Sequence, residues 1–196
     1  MNQLASGSTA RDRILSTASH LFYAHGVRAV GVDKVIEDAG VAKATLYSHF
    51  RSKNDLIAAY LRTRAEMARA DLERIEADND PGLRRIAALF DHVAATADEP
   101  DYNGCCFINA AAEHLDPSSG VAEIIADHRK TVFDFFSRNL PNLDESRRTQ
   151  TTQVLMALLD GAKIASVSEG RTTVEQIRRA AEAWAADAAT VTSAGG

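Results

Sequence analysis

The sequence predicts an all-α protein: an N-terminal three-helix unit followed by a larger helical body, about nine helices in total. Three observations predict it. Apolar residues recur at three- and four-residue spacing almost throughout the 196 residues. The breaks in that pattern fall at Gly, Pro and Asn-Asp clusters, which stop helices. Alternating β-branched runs that would favour a sheet are few.

After a polar tail over 1–8, Ile14, Leu15, Ala18, Leu21 and Phe22 line one face of a first helix that stops at Gly26. A short second helix is expected over 31–39 and a third over 43–50. Gly40 lies in the turn between them, where it permits the left-handed backbone that a tight interhelical turn needs. Val35, Ala39, Val41, Leu46 and Phe50 are spaced to close a small core with the first helix. Ser52 can N-cap a fourth helix, with Asp55 in its first turn. Leu56, Ile57, Tyr60, Leu61, Met67 and Leu72 carry that helix to Asn79-Asp80-Pro81. Five further patterns follow, over about 82–97, 105–114, 118–140, 144–168 and 173–192, interrupted at Glu99-Pro100, Asp116-Pro117 and Pro141. The final helix carries an apolar stripe of Val174, Ile177, Ala181, Trp184, Ala185, Ala188 and Val191. The helix before it offers Val154, Leu155, Leu158, Leu159, Ala162 and Ala165. These two helices suit either intramolecular packing or pairing with a second copy. The expected division is 9–55 and 56–192, with a fraying tail over 193–196.

Composition narrows the function. The chain is 45% hydrophobic and 25% charged, ordinary for a soluble globular protein. It has no run of about 18 apolar residues to span a membrane, and its first residues lack a signal peptide's apolar core, which places it in the cytoplasm. Cys105 and Cys106 are adjacent, unsuited to bridging each other and without partners at zinc-ligand spacing. No metal site and no cofactor is expected. Net charge is −5, unevenly spread: residues 1–55 hold seven Lys/Arg against five Asp/Glu, and the remainder fifteen against twenty-two. A locally basic head on an acidic body suits a protein whose DNA contact is confined to one end. There is no Gly-rich phosphate loop, HExxH pair or nucleophile elbow, so the sequence argues against an enzyme.

The segment Gly31 to Lys53, GVDKVIEDAGVAKATLYSHFRSK, carries the functional signal. It reads as two short helices joined by a tight turn. The second is small, bears hydroxyls and an aromatic, and is followed by basic residues, the makings of a helix that enters the DNA major groove. Lys43, Ala44, Thr45, Ser48 and His49 lie off the core face and can meet DNA. Thr45 can bind a phosphate or touch a thymine methyl, Tyr47 and Lys53 suit phosphates, and Lys43 and His49 suit a purine edge or the backbone. Lys34 and Arg51 complete the candidate DNA-binding set. Tyr47 can also be read as a half-buried anchor for the helix.

These residues resemble the recognition segment of TetR-type bacterial repressors. The likeness covers about residues 11–60, through Leu21-Phe22, Gly26, Ala39-Gly40-Val41, Thr45-Leu46-Tyr47, Phe50 and Ser52-Lys53. Beyond it, only the stretch from Gly104-Cys105 to Asn109-Ala110 is shared with some members. Three positions depart from the family pattern: Gly31 and Ala42 stand where many members have a capping hydroxyl, and Ile36 where alanine is usual. Loss of a cap costs about 0.5–2 kcal/mol for Ala and less for Gly.

The resemblance implies a helix-turn-helix domain (motif about 31–50) and a C-terminal effector-binding and dimerisation domain. Met67, Phe90, His92, Cys105, Phe107, Asn109, Glu113, Met156 and Asp160 are candidates for the pocket, with His114 and Lys163 as further polar leads. Leu155, Leu158, Leu159, Ala162, Ile177, Ala181, Trp184 and Ala188 are candidates for the dimer interface. The function expected is a homodimeric, sequence-specific DNA-binding regulator, a repressor released from a near-palindromic double-stranded operator by a small-molecule effector. The alternative is a thiol-based electrophile or oxidant sensor, with Cys105 and Cys106 activated at a helix N-terminus. An enzyme and an effector-independent architectural DNA binder are the remaining readings.

Overall fold

The computed structural model describes residues 9–113 and 119–193, among which there are nine α-helices and no strand. They are α1 (Ala10–His25), α2 (Val32–Ala39), α3 (Lys43–His49), α4 (Lys53–Asp78), α5 (Leu83–Thr96), α6 (Cys106–Glu113), α7 (Gly120–Arg138), α8 (Glu145–Ser168) and α9 (Arg171–Ser193). Each expected helix is found. The last one starts earlier, at Arg171, and runs through Ser193, where fraying was expected. The tail over 1–8, residues 194–196, and His114, Asp116 and Pro117 lie outside the described residues. No described helix is long and apolar enough to cross a membrane.

Caps set the helix starts. Thr9 and Asp12 form a reciprocal capping box on α1: the Asp12 N–H donates to Thr9 Oγ1 (3.2 Å) and the Thr9 N–H to Asp12 Oδ2 (3.1 Å). Ser52 caps α4 by accepting from the Asp55 N–H at 3.1 Å. Gly31 and Ala42, by contrast, start α2 and α3 with no side-chain cap. Between them Gly40 adopts φ +60°, ψ +44°, the left-handed turn that reverses the chain.

Two apolar cores organise the helices. The first joins Ile14, Ala18, Leu21 and Phe22 of α1 to Val35, Leu46, Phe50 and Leu56–Leu61 of α4, with Ala39 and Val41 packed at its edge. It does not stop at the head. Cys106, Phe107 and Ala110 of α6 and Val121 and Ile124 of α7 belong to the same cluster. The second core lies among α4, α5, α7, α8 and α9, around Phe90, Phe135, Phe136, Leu155 and Leu159. Buried Asn139 ties the end of α7 to the α4–α5 turn, donating to Phe135 O (2.8 Å) and accepting from the Gly82 N–H (3.1 Å).

The seam between head and α6 is polar and specific. Glu113 Oε2 accepts from the Arg28 N–H at 2.7 Å. Gly26, at φ +87°, lies so close to that carboxylate that a methyl group there would overlap it. Tyr23 adds a second tie: its Oη donates to Gly104 O (3.1 Å) and accepts from the Asn103 N–H (2.9 Å).

Candidate functional site

Helix α3 is anchored through one face only. Leu46 is fully buried and Phe50, which follows the helix, is nearly so, with the Arg11 guanidinium 5.2 Å from the Phe50 ring centre. This leaves Lys43, Ala44, Tyr47, Ser48 and His49 exposed and Thr45 half-exposed, so the side chains expected to meet DNA share an outward surface. Tyr47 is 42% exposed and its ring stacks on nothing among the described residues, against a buried anchoring role.

The basic groups around that surface are less free than their sequence suggests. Lys34 pairs with Asp38 at 2.8 Å, which raises its pKa, and Lys43 pairs with Asp33 at 3.3 Å. Both pairs are exposed and therefore weak, so DNA phosphates can replace the carboxylates. Lys53 differs: its Nζ donates to Arg28 O at 3.1 Å, and burial lowers its pKa. It braces the α1–α2 loop as well as lying near the surface. Arg51 is exposed and makes no ion pair among the described residues.

A second feature lies in the body. A cavity of about 190 Å³ opens among α4, α5, α6, α7 and α8. It abuts a second hollow of about 280 Å³, the two sharing Cys105, Phe107, His128, Val132, Leu159 and Lys163. Tyr23 of α1 and Gly104 to Phe107 line the first, so the cavity wall and the head seam use the same residues. His92 lines it too, 3.4 Å from Asp71. His128 is buried and stacks on Phe107 with ring centres 3.7 Å apart. Burial, with help from Lys163 and Arg129, pushes the His128 pKa down to about 3, so the imidazole is neutral at ordinary pH.

The expected pocket residues divide. Met67, His92, Cys105 and Phe107 line the first cavity, and Met156 and Asp160 the second, where Asp160 pairs with Arg129 at 2.8 Å. Phe90 does not line either: it is wholly buried in the body core. Asn109 turns away to donate to Asn103 O, and Glu113 is spent on the head seam. Of the expected dimer residues, Leu155, Leu159, Ala162 and Ala181 are buried inside this chain and unavailable to a second copy. Leu158, Ile177 and Ala188 are half-buried and Trp184 is exposed. The large exposed apolar side chains of α8 are Ile164 and Val167, which lie off the stripe read from the sequence. Also missed were Tyr23, Arg64 and His128. His128 carried a signal, since it falls on the Ile124–His128–Val132 spacing that marks the buried face of α7.

The Cys106 thiol does not show the activated state expected of a helix N-terminus. Burial pushes the Cys106 pKa up to about 11, with the Arg64 guanidinium and Tyr60 hydroxyl against it only partly offsetting that. Cys105 is half-buried on the cavity wall. No cluster of three or more His, Cys, Asp or Glu among the described residues could hold a metal.

The profile of bacterial regulatory proteins of the tetR family matches residues 14–60. A crystal structure of a TetR-family transcriptional regulator from Streptomyces coelicolor superposes with a TM-score of 0.84 at 30% identity, covering 92% of this chain and 96% of that one. The HTH-type transcriptional activator FasR of Mycolicibacterium smegmatis is 31% identical over 135 residues, 66% of this chain and 59% of FasR. The alignment thus spans under two thirds of that relative's length. The HTH-type transcriptional regulator LmrA of Bacillus subtilis is 26% identical over 168 residues, 84% of this chain and 89% of LmrA.

Proposed function

This chain belongs to the TetR family and is a DNA-binding transcriptional regulator, and from that premise we propose that it is a cytoplasmic homodimeric repressor released from its operator by a small molecule held in the α4–α8 cavity. The observation that carries the reading is the single-sided anchoring of α3. Leu46 and Phe50 fix the helix, while Thr45, Tyr47, Ser48 and His49 lie outside the buried core, Ser48 Oγ donating locally to Thr45 O at 2.8 Å. Residues 9–55 act as the reading domain and 56–192 as the sensing and dimerising one. In this division α6 is the shared part, since it lies in the head's core while lining the body's cavity.

Dimerisation uses the outer faces of α8 and α9. Ile164 (58% exposed), Val167 (55%) and Trp184 (47%) are large apolar groups that a second copy would cover. Two reading helices then lie about 34–36 Å apart and select a near-palindromic operator. An effector in the cavity presses on Tyr23 and on α6. Through Gly104, Asn103 and the Glu113–Arg28 hydrogen bond it disfavours the head orientation that fits this spacing. FasR is named an activator, so the sign of regulation here is part of the proposal.

Selection of bound fragments from the source genome tests the reading. The expected result is a recurrent inverted repeat whose binding by Tyr47→Ala is at least about tenfold weaker. Binding that depends on salt alone, with no preferred sequence, would overturn it.

A further inference from the structure

The cavity holds cations without counterions. Arg64 lines it from α4, half-buried, with its guanidinium 5.1 Å from the centre of the Tyr23 ring and with Cys106 and Tyr60 beside it. No carboxylate pairs with it among the described residues. Lys163 lines it from α8, also half-buried and also without a carboxylate partner among the described residues. Two acidic residues do reach the cavity wall, but neither answers these charges. Asp71 is engaged by Arg74 at 2.7 Å and by His92 at 3.4 Å, and Glu99 is exposed.

A second observation points the same way. His128 is 92% buried by its 8% relative exposure, it faces both hollows, and its ring nitrogens make no hydrogen bond among the described residues. A neutral imidazole offers one N–H donor, which can meet an acceptor placed in the hollow that it faces. Much of the remaining wall is apolar, through Leu89, Val93, Val132 and Leu159 and the Phe107 ring stacked on His128, with Thr96 and Tyr102 among its polar members. A cavity of about 150 Å³ accommodates benzene, so about 190 Å³ takes one ring or a short branched chain together with a small polar head.

We propose that the cavity is built for an organic monocarboxylate whose anionic head is taken by Arg64 and Lys163, with a hydrogen bond from His128, and whose body is a single ring or short branched chain. This rests on the cavity being the effector site and names the chemical class it accepts. Arg64 supplies a planar fork suited to a carboxylate, and Lys163 a point charge. Anion binding would also draw Arg64 from the face of Tyr23, the residue that ties α1 to Gly104.

Calorimetry on the full chain, with benzoate, phenylacetate and isovalerate each set against its neutral amide, tests the assignment without an operator. The expected result is that at least one acid binds and its amide binds about tenfold more weakly or worse. Lys163→Gln, at a half-exposed position that tolerates the change, should remove most of that preference, and Arg64→Gln the rest where the variant keeps its cooperative melting. Amides binding as well as acids would overturn the anion assignment while leaving the cavity as an effector site. So would acid binding that survives both substitutions. Silence of the whole panel at millimolar concentration also overturns it, and the effector reading is then judged separately, by whether filling the cavity with Val93→Trp alters DNA binding.

Discussion

The N-terminal head and the C-terminal body are both helical and both well supplied with apolar residues, yet the first is closely packed and the second hollow. The void among α1, α4 and α6, beneath the head, measures about 10 Å³, whereas the body contains hollows of about 190 and 280 Å³. Close packing transmits position faithfully, as a reader must when α3 is to hold register with base edges. A hollow leaves the body with unfilled contacts, and on the function proposed above a molecule supplying them would change which arrangement is favoured. The contrast teaches that close packing and open space fall in different cores, with α6 as the wall common to both.

The largest test of that contrast is truncation on either side of it. Leu46→Ala, at a fully buried position in the sealed core, should cost about 2–5 kcal/mol of unfolding free energy. Leu89→Ala, beside the existing cavity, should cost less, because part of its surroundings is already empty. Denaturant melts of both variants decide it, and equal losses would mean the head is no better packed than the body.

Acid should find the body before the head. Folded His128 takes a proton only near pH 3, while the unfolded chain takes it near 6.5, so between these values the unfolded state holds more protons and stability falls as pH falls. The stability that the neutral ring provides is fully present above about pH 6.5. Lowering pH to about 4.5, two units below the unfolded value, should remove about 3 kcal/mol from this group alone. The measurable quantity is the difference in pH slope between the wild type and His128→Phe; parallel slopes would exclude His128 as the cause.

The seam between the two regions is probed at Gly26. Gly26→Ala forces a side chain onto φ +87° and against Glu113, with an expected loss of about 1–3 kcal/mol. The same variant should loosen α6 from the head and raise amide exchange at Arg28, whose N–H is bound by Glu113. Unchanged protection there would show that the seam does not depend on this contact. The smallest effect is expected on the reader itself. Ala42→Ser restores a cap to α3, and a gain of about 0.5–1 kcal/mol in thermal or denaturant unfolding should follow. No gain would mean that the α3 N-terminus is stabilised entirely by its packing.

The head was legible because its evidence is local. Leu46 and Phe50 lie four residues apart, Gly40 stands in the turn, and Ser52 is followed three residues later by Asp55, so period, breaker and cap can each be read within one turn of helix. The uncapped starts at Gly31 and Ala42 were legible for the same reason. Four of the eight dimer candidates lie in the chain's own core, because a stripe shows that a face is apolar and not what covers it. Leu155, Leu159, Ala162 and Ala181 were apolar for the sake of this chain's own core, and the exposed pair Ile164 and Val167 sits on the other side of α8. For Cys106 the helix N-terminus was visible in the sequence, and the depth of its burial was not.

The sequence by itself determined about nine helices, their order, and a third helix with Lys43, Ala44, Thr45, Ser48 and His49 off its core face, because these follow from spacing over a few residues; it left the placement of Tyr47 open. Only the tertiary structure decided the cavity. Tyr23, Arg64, Phe107, His128 and Lys163 come from α1, α4, α6, α7 and α8, and a polar residue on an amphipathic helix looks the same in sequence whether it faces water or a hollow. That distinction belongs to how the helices pack, and packing joins residues far apart along the chain.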